Sequence, residues 1–195
     1  MENTDSMMFQ SGPLKIKIIM LGDSGVGKTS LIYKYNDPDY EISQQDTNAT
    51  IGYEYITIER EIEGTKATVY LWDTMGQDKF NSIAKTYFRN AAGVIFIYDI
   101  TNRKSFDSLS EWVRQVDDSS DEAIPIVIGN KVDKEKYRQV TRMEGENFAQ
   151  ENNAAFYEVS ANTGYNIKNA IDLLLSVVFK NIYDKSISLK YTQNK

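Results

Sequence analysis

Apolar positions along the chain follow two rhythms. Near-continuous apolar runs at residues 14–21, 94–98, 124–128 and 155–159 have the length and composition of strands buried on both faces of a parallel sheet. Two further β-rich runs, 51–61 and 66–72, stand on either side of Glu63-Gly64 and predict an antiparallel hairpin. Elsewhere the period changes to 3.6. Phe106, Leu109, Val113 and Val116 share one helical face, as do Ile167, Ala170, Ile171, Leu174 and Val178. Residues 30–36 also read as helix, a short helix is expected within 79–89, and Thr141-Arg-Met-Glu144 reads as a capping box opening another. Alternation of strand and helix predicts a doubly wound α/β domain. Its six-stranded sheet is mostly parallel with one antiparallel edge hairpin, and helices cover both faces. Residues 1–12 read as a flexible arm, 13–183 as the domain and 184–195 as a flexible tail. The polar, aperiodic stretch 41–50 reads as a long loop.

In such sheets ligands gather at the carboxyl ends of the strands. The loop after the first strand is Gly22-Asp23-Ser24-Gly25-Val26-Gly27-Lys28-Thr29, which fits G-x-x-x-x-G-K-[ST]. Glycines let backbone N–H groups turn inward around a phosphate, Lys28 brings a positive charge to the outer phosphates, and the Thr29 hydroxyl can ligate Mg²⁺. The helix that follows aims its positive end at the same place.

Composition narrows the chemistry. The 195 residues suit one domain. With 28 acidic against 22 basic side chains the net charge is −6, which argues against nucleic acid or anionic lipid held by bulk charge. The absence of cysteine and histidine removes disulfides, thiolate and imidazole metal ligands, and both thiol and imidazole catalysis. Carboxylate, amide, hydroxyl, lysine and a bound cation remain, a set that suits phosphoryl transfer. No run approaches the ~18 apolar residues of a membrane span, and the amino-terminal stretch lacks the basic and apolar regions of a secretory signal. The expectation is an intracellular, cytoplasmic protein.

Two more loops carry functional patterns. Asp73 ends a strand ahead of Gly76 and Gln77. Beside a phosphate loop it can hold the magnesium shell, and the Gly76 N–H can reach a terminal phosphate. Asn130-Lys131-Val132-Asp133 follows another strand. A carboxylate there can accept hydrogen bonds from N1–H and the exocyclic amine of guanine, a pair adenine does not offer, so the site would discriminate strongly.

Residues 22–29, Thr50-Ile51-Gly52, residues 73–77, Asn130 to Asp133 and Ser160-Ala161, in that order, resemble the Ras superfamily of small GTPases over residues 15–182. The stretches 50–55, 72–80, 87–91 and 98–101 look most like the Rab family. The resemblance implies a P-loop GTPase domain that binds GTP or GDP with Mg²⁺. It places Asp23, Ser24, Gly25, Val26, Gly27, Lys28, Thr29 and Ser30 around the phosphates, with Thr29, Thr50 and Asp73 at the metal. Lys28, Thr50 and Gln77 would serve catalysis, Gln77 by orienting the attacking water. Asn130 and Asp133 would read guanine, the Lys131 stem would lie along the base, and the Ala161 N–H, with Ser160 and Asn162 beside it, would meet the base carbonyl. Tyr40 stands where the family puts an aromatic against the base; packing within its loop is an equal alternative.

Departures from the pattern matter too. Thr47 lies 18 residues after Thr29, the usual Rab interval, but Thr50 lies 14 before Gly64 and 23 before Asp73, which also match. Thr50 is therefore taken as the switch threonine, with three extra residues in the loop. Met75 replaces the usual alanine, and Asn162 the usual lysine. The resemblance implies a switch in vesicle trafficking that meets an exchange factor, a GTPase-activating protein and effectors through two switch loops, with Tyr53, Trp72 and Phe80 as candidate effector aromatics. A monomer and no nucleic-acid partner are expected. Without cysteine, membrane attachment stays open, with a peripheral place on an intracellular membrane as one alternative. Two rival functions are a GTP-binding module that hardly hydrolyses and, on the phosphate loop alone, an ATP-using kinase.

Overall fold

β1 (Leu14–Leu21) is the strand about which the sheet is laid. In the computed structural model, which describes residues 13–42, 54–73, 88–117 and 123–193 with side chains as far as Lys185, β1 runs parallel to both its neighbours, β3 (Thr65–Asp73) and β4 (Gly93–Asp99). β2 (Glu54–Ile62) pairs antiparallel with β3 at one edge. β5 (Ile124–Asn130) and β6 (Ala155–Glu158) continue the parallel sheet on the other side, giving the order β2-β3-β1-β4-β5-β6. The predicted hairpin turn is at Glu63 and Gly64, both at positive φ (49° and 79°), as a two-residue hairpin loop that follows the strand twist requires.

Side-chain alternation along the strands divides the core in two. Ile16, Ile18, Met20, Ile95, Ile97, Ile126 and Ile128 face α1 (Lys28–Asn36) and α5 (Ile167–Gln193). Ile19, Leu21, Val94, Phe96, Tyr98 and Val127 pack with Leu109, Trp112, Val116 and Ala149 on the opposite face. The period-2 geometry of a strand buried on both faces explains why those runs read as continuously apolar.

The helix expected over 106–116 is divided. α2 (Arg103–Asp107) ends at Ser108 and α3 (Leu109–Asp117) follows. The Ser108 hydroxyl donates to Lys104 O at 2.8 Å, a local bond that competes with continuous helix. A 3-10 segment (Val132–Tyr137) leads to α4 (Arg142–Glu151), whose capping box is present as predicted. α5 runs as far as Gln193, so residues 184–193 of the stretch read as a flexible tail lie in that helix. The arm 1–12, most of the loop 41–50 and the helix expected within 79–89 lie outside the described residues, apart from the last two positions of that helix. Among the described residues no helix is long and apolar enough to cross a membrane.

Candidate nucleotide site

The phosphate loop leaves β1 at the point where the chain winds to β3 on one side and to β4 on the other, which is the switch point of the sheet. Two of its glycines are there because nothing larger fits. A Cβ on Gly22 would stand 2.1 Å from the carbonyl oxygen of Ile97, and one on Gly27 2.5 Å from Nδ2 of Asn130. Gly27, at φ 97°, is also the cap from which α1 begins, so the amino end of that helix opens onto the loop.

Lys28 is buried, with its ammonium donating to Gly22 O at 2.9 Å and Asp23 O at 3.2 Å. Burial lowers its pKa to about 8, against the attraction of Asp73 and Asp23. An amine tethered to loop carbonyls and weakened by burial is suited to meet an anion that restores its charge. Next to it, the Thr29 hydroxyl donates to Oδ2 of buried Asp73 at 2.5 Å. Thr29 and Asp73 line a shallow cleft with Ile32, Tyr33, Tyr55 and Ile56. Such a donor set fits Mg²⁺, which takes few protein oxygens and keeps water and phosphate for the rest.

Asn130, at the carboxyl end of β5, is 1 % exposed and joins three segments. Its amide donates to Val26 O at 2.8 Å, and its Oδ1 accepts from the N–H groups of Lys131 at 2.8 Å and Ala161 at 3.0 Å. The Ala161 N–H, expected at a base carbonyl, thus donates to Asn130. Lys131 is at positive φ (71°), and its ammonium reaches Gly25 O at 2.7 Å and Asp99 Oδ2 at 2.8 Å. Asp99 is raised by burial, but the bonds from Lys131 and Thr101 outweigh this and hold it below the usual carboxylate range. Asp133 is exposed; its Oδ1 accepts from Ser160 Oγ at 2.6 Å and its Oδ2 from Asn162 Nδ2 at 3.4 Å.

Residues Asp23 to Ser30, Asp73, Asn130 to Asp133 and Ser160 to Asn162 thus come together at one end of the sheet. Tyr40 lies beside Tyr33, ring centroids 5.2 Å apart, and its carbonyl accepts from Lys34 at 2.7 Å. Thr47, Thr50, Tyr53, Met75, Gly76, Gln77 and Phe80 lie outside the described residues. Two residues escaped the sequence reading. Asp99, the partner of Lys131, ends a strand like Asp73 but has no glycine and amide after it. Trp112, whose indole N–H donates to Asp23 Oδ1 at 3.0 Å, was visible only as a large apolar residue between Leu109 and Val116.

Comparison with known proteins places this geometry. The Ras family model matches residues 17–180. Over 166 residues the chain is 36 % identical to the Ras-related protein Rab-10 of Caenorhabditis elegans, covering 84 % of this chain and 81 % of that one. It is 38 % identical over 165 residues to human Ras-related protein Rab-15, covering 84 % and 76 %. Ras-related protein Rab-11B of Dictyostelium discoideum is 33 % identical over 180 residues, covering 91 % and 80 %. A loop shaped for phosphate, a hydroxyl and carboxylate suited to Mg²⁺, and relatives of this kind put the chain in the Ras family, where it is a Rab-like GTP-binding switch and a GTPase.

Proposed function

We propose that residues 22–30, 73, 130–133 and 160–162 hold one guanine nucleotide and its Mg²⁺, and that the switch so formed acts in vesicle trafficking. The supporting observation is Asn130, which hydrogen-bonds the phosphate loop and the loop after β6 from the strand end between them. A ligand with phosphates at one end and a base at the other matches loops linked in this way.

In this reading the loop N–H groups and the start of α1 hold the phosphates, and Lys28 leaves its carbonyl tethers to neutralise the β and γ oxygens. Thr29, Asp73 and Thr50 hold Mg²⁺, which supplies charge neutralisation at the phosphate oxygens. Asp133 accepts from the two guanine donors, positioned by the Ser160 hydroxyl, while the Lys131 stem and Tyr40 flank the base. Gln77 orients water for hydrolysis, and the Gly76 N–H meets the γ-phosphate. GTP orders the loops around Thr50 and Gln77 and hydrolysis releases them. Exchange factor, GTPase-activating protein and effectors read those loops, and the protein works as a cytoplasmic monomer that visits membrane surfaces.

Displacement of a fluorescent GDP analogue tests the site. GDP and GTP are expected to displace it, while a thousandfold excess of ATP leaves it bound; equal displacement by ATP would sink the reading. Gln77→Leu is expected to slow single-turnover phosphate release at least about tenfold, in line with loss of one oriented transition-state contact.

A further inference from the structure

The phosphate loop carries a carboxylate, Asp23. Asp23 sits between Gly22 and Ser24, its backbone carbonyl accepts from Lys28, and its charge acts on that ammonium. A carboxylate turned toward Lys28 or the phosphates would weaken anion binding. The structure holds it elsewhere. Trp112, 1 % exposed and packed on the sheet face with Ile19 and Leu21, points its indole N–H out of the core onto Asp23 Oδ1 at 3.0 Å. An indole N–H is a donor only and usually finds a partner when buried, and a charged acceptor makes the bond stronger than a neutral one.

We propose that Trp112 is a positioning residue for the nucleotide site, tethering the Asp23 carboxylate away from Lys28 so that the ammonium is kept for phosphate. This rests on the reading of residues 22–30 as the phosphate-binding loop. The tether also joins α3 to the phosphate loop, so a displacement of that helix reaches nucleotide affinity directly.

The test is a double-mutant cycle read by release of a fluorescent GDP analogue, with melting temperature measured alongside. W112F removes the donor while keeping an aromatic in the core, and is expected to speed release about tenfold, the lower end of the scale for one hydrogen bond to a charged group. Adding D23N removes the charge whose indole donor W112F has taken away, and is expected to return release to within about threefold of the parent without restoring the melting temperature. A double variant that releases GDP as fast as W112F overturns the proposal and makes the indole a core filler. So does a W112F release rate equal to the parent's. A parent that binds no GDP would instead defeat the function proposed above.

Should W112F not fold, the two indole N–H resonances of the otherwise intact protein, from Trp72 and Trp112, give a second reading. D23A is expected to shift the Trp112 signal and speed its hydrogen exchange. An unmoved signal overturns the tether.

Discussion

Asp133 shows how far a single side chain can decide ligand choice. Its two oxygens accept from Ser160 and Asn162, and in the proposed site they would accept from guanine. Asp133→Asn turns one acceptor into a donor, which would stand opposite the guanine amine and leave two donors facing each other. GDP affinity is expected to fall by at least about a hundredfold, the scale of a lost charged pair plus an unpaired donor, with xanthosine diphosphate binding better to the variant than to the parent. Equal preference in both proteins would show that Asp133 does not read the base. Tyr98 makes the opposite point. Its hydroxyl is buried and has no hydrogen-bond partner among the described residues, and burial raises its pKa. Tyr98→Phe is therefore expected to leave stability unchanged or raise it by about 1 kcal/mol in urea unfolding, because an unmet desolvation cost disappears.

At the scale of elements, local chemistry and packing compete at α4. The Glu144 carboxylate accepts from the Thr141 N–H at 2.8 Å and Thr141 Oγ1 at 2.7 Å, and Arg103 lies 2.8 Å away. These contacts, the Thr141 backbone first, lower its pKa from 4.5 to about 2. A depressed carboxylate stabilises the fold above its unfolded pKa and loses that contribution as pH falls through the folded value. The melting temperature is thus expected to drop between pH 4.5 and 2 more steeply in the parent than in Glu144→Gln. Four residues of sequence were enough to find this cap. They could not show Gly145, where an added Cβ would stand 2.5 Å from both Phe156 Cε2 and the Tyr98 hydroxyl oxygen. Helix propensity favours alanine there by about 1 kcal/mol. Gly145→Ala is nevertheless expected to destabilise by about 1–3 kcal/mol, since overpacking a filled core outweighs propensity. The strands, the hairpin and the cap were legible because each rests on spacing within a few residues. The division at Ser108, the length of α5, the Lys131–Asp99 pair and the Trp112–Asp23 bond were not, because each depends on a competing local bond or on residues brought together only by the sheet.

For the whole molecule, ligand and fold are linked. Lys28 lies in a buried site that lowers its pKa to about 8, and phosphates bound as proposed would raise it again. Affinity for a nucleotide that engages Lys28 is therefore expected to fall as pH rises above about 8, by up to tenfold per unit. The ratio of GDP to GMP affinity isolates the effect, because GMP lacks the outer phosphate assigned to Lys28; a ratio flat from pH 7 to 9 would remove the assignment. The same lysine makes the fold more stable as pH rises from about 8 to 10.5, because only the unfolded chain then still carries its proton. Bound nucleotide should in turn protect the fold, by about 4 kcal/mol at a thousand times its Kd, and stripping Mg²⁺ with EDTA should erode that protection.

Asn130 makes the two ends of this pocket one mechanical unit. With a single amide stitched to Val26, Lys131 and Ala161, opening one rim of the cradle strains the bonds to the other. In the proposed site, a regulator that ejects GDP would therefore need only one handle: leverage on the phosphate loop would also loosen the grip on the purine ring, with no contact to it at all.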